Sequence, residues 1–165
     1  YLITQNELSS LYATDKRSWN QKSLRNIAAA GYFAADRSIK EYAENGGHIL
    51  AEGGGTTYLG ATLTAREGGT AYPLCNILPI HTQPTSDNRP RTGYRKSEIH
   101  TSEWRGYEFR YTSTPEEEYA KADFKSAITN LKGTETIMPW YRYKNVVASH
   151  THWYWGDKDL RKLWE

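Results

Sequence analysis

Apolar positions along the chain change period several times, and the changes mark the predicted elements. Scattered apolar residues open the chain, and Glu7 to Tyr12 predicts a short helix. Leu24, Ile27, Ala28, Gly31, Ala35, Ile39 and Tyr42 then recur at steps of three and four, the period of one amphipathic helix. Asn20 or Ser23 would cap its start, and Asn45-Gly46-Gly47 would stop it. His48 to Ala51 reads as a short strand. Gly53-Gly54-Gly55 reads as a turn, and Thr56 to Thr64 has the β-branched and aromatic content of a second strand paired to the first as a hairpin. Residues 65–98 read as a long loop punctuated by Gly68-Gly69, Pro73, Pro79, Pro84 and Pro90, a length that is usually functional.

Alternation returns between Glu98 and Thr112, through Ile99, Trp104, Tyr107, Phe109 and Tyr111, and predicts a strand. Thr114-Pro115-Glu116-Glu117 combines an N-cap, a proline at the first helical position and a capping-box acid. The helix it predicts carries Tyr119, Ala120, Phe124, Ala127, Ile128 and Leu131, and Gly133 ends it. Thr136 to Pro139 and Asn145 to Ser149 read as strands, and Asp157 to Trp164 as the start of a last helix. The order implies an α/β (α+β) domain, a mixed β-sheet packed against helices.

Composition narrows the picture. With 165 residues the chain can bury a core as one domain. Its formal net charge of +2 gives no strongly basic footprint for nucleic acid. The lone cysteine, Cys75, excludes an internal disulfide and any multi-cysteine zinc site. No apolar run approaches the length of a membrane span. Thirteen Tyr and six Trp against three Phe suit half-wet surfaces, where a ring packs on one edge and hydrogen-bonds on the other. The chain begins at Tyr1 without an initiating Met and stops at Glu165, soon after its densest polar stretch. It reads as a single domain over 1–165, truncated at its C-terminus.

That stretch is Asn145-Val-Val-Ala-Ser-His-Thr-His-Trp-Tyr-Trp-Gly-Asp-Lys-Asp-Leu160. His150 and His152 stand two apart, so on a strand both imidazoles leave the same face. With Asp157 and Asp159 close behind, they make half a cage for a divalent metal. Catalytic zinc commonly takes three such ligands and keeps one position open for water. Metal-assisted hydrolysis also needs a base. Glu44, followed by Asn45-Gly46-Gly47 where the long helix hands over to a strand, is the candidate. His48, His81 and His100 read as surface or loop residues, and the run Arg89 to Lys96 as a solvated loop.

The pattern Glu-x-Gly-Gly before an apolar strand, then Ser-His-Thr-His and Asp-Leu, resembles the JAB/JAMM metalloprotease superfamily. More narrowly, Ser38 to Gly47 and Ala148 to His152 with Trp155 to Leu160 resemble the DUF4329 domains of bacterial Rhs and polymorphic toxins. The resemblance implies a JAB/JAMM (cytidine-deaminase-like) architecture and a zinc-dependent peptidase or isopeptidase. In that reading His150, His152 and Asp159 bind Zn2+ and Glu44 activates the metal-bound water. Ser149 and Asp157 are secondary candidates, and Gly156 stands where the superfamily places a serine. The implied protein is a toxin or effector, secreted or delivered into a target cell. It would have a protein or peptide substrate, a cognate immunity protein and a parent Rhs-type shell, with no membrane partner and nucleic acid disfavoured. Two rivals remain open: a metal-dependent nuclease using the same His pair, with loop 89–96 on the phosphates, and a non-catalytic binding module that has lost the chemistry.

Overall fold

A computed structural model describes residues 1–115, 127–136 and 139–165. It divides into two compact units, Tyr1–Ser38 and Ile39–Glu165. The first unit holds helix α1 (Leu2–Thr14), helix α2 (Lys16–Ala29) and a 3-10 turn (Ala30–Phe33), none with a buried residue. Asp15 caps α2, its carboxylate accepting from the Ser18 amide at 3.0 Å. The single long helix expected from Ser23 to Tyr42 is therefore broken. It ends at Ala29, and a new helix, α3 (Ala35–Glu44), begins beyond Ala34. The apolar period runs on across the break, so the pattern concealed it.

The second unit is built around a three-stranded sheet of β1 (Ile49–Glu52), β9 (Tyr141–Tyr143) and β10 (Val146–Ser149), in the order β1-β10-β9. β10 runs parallel to β1, with Ile49 opposite Val146 and Glu52 opposite Ser149. Both faces of β10 are covered. Val146 and Ala148 enter a core with Leu59, Ile77, Leu78 and Ile80, while Val147 enters a second core with Trp104, Trp140 and Trp153. That two-sided burial explains the unbroken apolar run Val-Val-Ala. Trp140 and Trp153 stack with centroids 4.8 Å apart.

Several sequence expectations are corrected here. The segment after Gly53 is not a hairpin strand. It begins as the short helix α4 (Gly54–Leu59), only its end at Thr62–Thr64 is strand, and β1 finds its partner in β10 instead. The expected loop 65–98 contributes strands. β2 (Thr62–Thr64) pairs with β3 (Ala71–Pro73) and β4 (His81–Pro84), and β4 pairs with β7 (Thr112–Ser113). β5 (Arg91–Ile99) and β6 (Ser102–Arg110) form a long antiparallel ribbon. It is flanked by β11 (His152–Trp153) on β6 and β8 (Ile128–Asn130) on β5. The run Arg89 to Lys96 thus lies largely within a strand. The helix expected after Thr114 falls mainly outside the described residues, but its end at Ile128 is strand β8. The strand expected over 136–139 lies partly outside them too. The last helix is one 3-10 turn, Leu160–Leu163. The coarse expectation holds: a mixed α/β domain in which β-sheet packs with helices. No helix among the described residues is long and apolar enough to cross a membrane.

Candidate functional site

The parallel pair β1 and β10 ends at Glu52 and Ser149, and the chain bends immediately after each. Gly53 takes φ +51, a conformation that a side chain disfavours. A Cβ there would also run into the ring of His152. The bend is tied to β10 by the Gly53 amide donating to the Ser149 carbonyl at 2.9 Å. The Thr56 hydroxyl, on α4, donates to the same carbonyl at 2.7 Å. The two chain ends therefore form one rigid rim.

On that rim His150 and His152 both line a cavity of about 470 Å³, with Tyr58, Phe109, Arg110 and Tyr111 among its other walls. His150 is buried and His152 is exposed. Burial drives the His150 pKa down to about 3, with the Arg110 cation adding to the shift, against a hydrogen bond to the Gly53 backbone. The ring is neutral at ordinary pH. Its Nε2 is buried without a hydrogen-bond partner. Tyr141 meets the ring edge-on, centroids 6.1 Å apart. The Arg110 guanidinium is paired with Glu108, its Nε donating at 2.6 Å, and also donates to the Thr112 carbonyl. Arg95 Nε reaches the other oxygen of Glu108 at 2.7 Å.

The remaining expected site residues do not join the histidines. Glu44 precedes the start of β1, and its carbonyl accepts from Lys144 Nζ at 3.0 Å. It lines a different cavity, with Lys40, Asn76 and Tyr143. His150 follows the far end of β10, so a full strand length, roughly 13 Å, lies between them. Asp159 caps the terminal 3-10 turn and binds Arg161, which holds its carboxyl near a pKa of about 2. Asp157 is exposed and lies 3.4 Å from Lys158 Nζ. Ser149 is buried, its hydroxyl accepting from the Thr151 amide at 3.1 Å. Among the described residues no three His, Cys, Asp or Glu side chains converge as a ligand set. The zinc cage drawn from the sequence thus has two members at the rim and the others elsewhere.

The carboxylate that stands at the histidine end is Glu52, which the sequence reading passed over. Its Oε1 accepts from the Trp153 amide at 2.7 Å and Oε2 lies 3.4 Å from Trp155 Nε1. An acid closing an apolar strand just before three glycines was the available signal. Arg110, Tyr58 and the Phe109–Tyr111 wall had no local signal, because the fold delivers them from distant strands. Cys75, the chain's lone thiol, is buried in the core beside Leu59 and is not among the cavity walls.

Comparison with known proteins settles the family. The pattern of the CobB/CobQ-like glutamine amidotransferase domain matches residues 6–160, and the chain belongs to that family. This overturns the resemblance to the JAB/JAMM superfamily and to DUF4329 domains, and with it the zinc-dependent peptidase toxin. The nuclease and degenerate-module rivals gain no support from it. A shorter likeness links the chain to human liver glycogen phosphorylase, 51% identical over 45 residues. The Chlamydia trachomatis glycogen phosphorylase is 44% identical over 45 residues. Each match takes in 27% of this chain and 5% of the phosphorylase, so this chain spans about one-twentieth of those curated relatives. The family match covers nearly the whole chain and outweighs these.

Proposed function

We propose that the cavity at the β1/β10 rim binds a glutamine-type carboxamide. The observation that carries the reading is the bare Nε2 of His150. A buried ring nitrogen left unpaired costs about 1–3 kcal/mol, and in this reading the ring proton sits on Nδ1, so that Nε2 accepts. A carboxamide supplies the missing N–H. A carboxylate of the same shape supplies none and sets a second acceptor against the first. Membership of a glutamine amidotransferase family supports glutamine as the bearer of that amide. Release of the amide nitrogen by acyl transfer would need a nucleophile at the bound carbonyl, and the buried Cys75 does not present one in this conformation. The reading is therefore of recognition, with His150 choosing amide over acid.

Titration calorimetry tests it. L-Glutamine is expected to bind at least 10-fold more tightly than L-glutamate, and His150→Phe, checked for native circular dichroism, should erase the difference. Equal affinity for the two ligands in the native protein would overturn the proposal.

A further inference from the structure

Strand β1 turns into helix α4 at a single residue, Gly53. Gly53 stands at φ +51 and ψ −118, a combination open to glycine and strained for any residue with a side chain. A sharp, strained strand-to-helix turn is the geometry that lifts an attacking side chain off a sheet and into a cleft. Backbone strain of this kind is kept where a site uses it. The backbone also fixes where the missing side chain would go. A Cβ built on Gly53 meets Nε2 and Cε1 of His152. Gly53 and His152 share one cavity wall with His150, whose buried Nε2 has no partner.

Resting on the carboxamide reading of the cavity, we infer that this turn is the seat of an amide-cleaving nucleophile that the chain lacks. Gly53 holds the nucleophile's position, His152 is the base aligned with it, and the native site binds glutamine without cleaving it. Acyl transfer pairs a thiol or hydroxyl with a base at hydrogen-bond distance. At Gly53 the base is present and the nucleophile is not. Cys75, the chain's lone thiol, is buried in the core and is not among the cavity walls. The Thr56 hydroxyl, at the start of α4, is bonded to the Ser149 and Ala51 carbonyls. What a side chain at 53 would meet is the far end of an exposed imidazole, which a change of rotamer moves aside. A cysteine at 53 would complete the chemistry. Its thiol would pass a proton to His152, and its sulfur would bond to the side-chain carbonyl carbon of glutamine. The C–N bond would break as that proton moves to the leaving nitrogen, giving ammonia and a thioester. Water would then hydrolyse the thioester to glutamate and the free thiol.

The experiment measures ammonia release from L-glutamine by the full chain in four forms: native, Gly53→Ala, Gly53→Cys, and Gly53→Cys combined with His152→Asn. Circular dichroism checks each fold, and calorimetry checks glutamine binding by the native chain. The native chain and Gly53→Ala are expected to release no ammonia above the protein-free background. Gly53→Cys should release it at least about 100-fold faster than the native chain, and adding His152→Asn should cut that rate about 100-fold, the scale of a lost general base. Ammonia from the native chain would overturn the inference, because a resident nucleophile such as the cavity-lining Thr57 or Thr112 hydroxyl would then be acting. A folded Gly53→Cys that leaves glutamine intact, or that cleaves it equally well without His152, overturns it too. So does a Gly53→Ala or Gly53→Cys chain that fails to fold, since the turn then admits no side chain. If calorimetry shows no glutamine binding by the native chain, the carboxamide reading itself fails and takes this inference with it.

Discussion

His150 shows how environment decides the chemistry of a side chain. Its spacing from His152 was plain in the sequence and suggested a metal ligand. Burial and the Arg110 charge were not, because both come from segments far along the chain, and together they keep the ring neutral. The shift has a consequence for stability. In the unfolded chain the imidazole titrates near its ordinary value of 6.5, whereas in the folded protein it resists protonation until about 3. Above pH 6.5 both states are neutral and the group contributes nothing to the pH dependence. As pH falls from 6.5 toward 3, the unfolded chain takes up a proton that the folded one refuses. Stability is then lost at a slope approaching about 1.4 kcal/mol per pH unit. Urea unfolding at pH 7, 5 and 4 should show His150→Phe losing less stability than the native protein over this window. Parallel losses in the two would show that His150 is not the titrating group. Glu52, an acid ending a strand, was passed over in the sequence, and only the parallel pairing of β1 with β10 reveals which histidines it accompanies.

At the scale of elements, the β5–β6 ribbon is the clearest case of partial legibility. The alternation from Ile99 through Tyr111 announced β6. β5 was hidden, because Pro90, Gly93 and a run of cations look like loop until a partner strand supplies the hydrogen bonds. The turn joining them is His100-Thr101, with φ +45 and +66. Two positive φ values in a two-residue connection are what a type I′ hairpin demands, and Asn-Gly is the pair that meets the demand without strain. A β-branched threonine there is strained. Replacing the pair by His100→Asn and Thr101→Gly is expected to raise stability by about 1–3 kcal/mol, read as a higher urea midpoint at unchanged slope. A lower midpoint would mean that the His100 and Thr101 side chains make interactions worth more than the backbone strain. The β1–β10 pair was half legible: both strands stood out as apolar runs, yet β1 was assigned a neighbour from the next segment. Short strands pair by register and burial, and a parallel partner almost one hundred residues away leaves no local mark.

At the scale of the molecule, the mixed α/β class followed from the order of helical and strand periods, and it held. The family did not follow. A few residues matching a metalloprotease pattern, Glu44 and the two histidines above all, suggested a site that the topology pulls apart, since Glu44 and His150 lie at opposite ends of the same strand pair. The match over residues 6–160 to a glutamine amidotransferase family uses the whole chain rather than those fragments. In the proposed reading the acceptor at His150 links family and fold, and nitrogen-15 NMR of the imidazole-labelled full chain reads it most directly. Two distinct ring signals at pH 7 are expected for His150, a protonated Nδ1 and a bare Nε2. Added L-glutamine should move the Nε2 signal toward the hydrogen-bonded range, while L-glutamate leaves it in place. A His150 Nε2 signal that ignores glutamine, or one that carries the proton itself, would contradict the account.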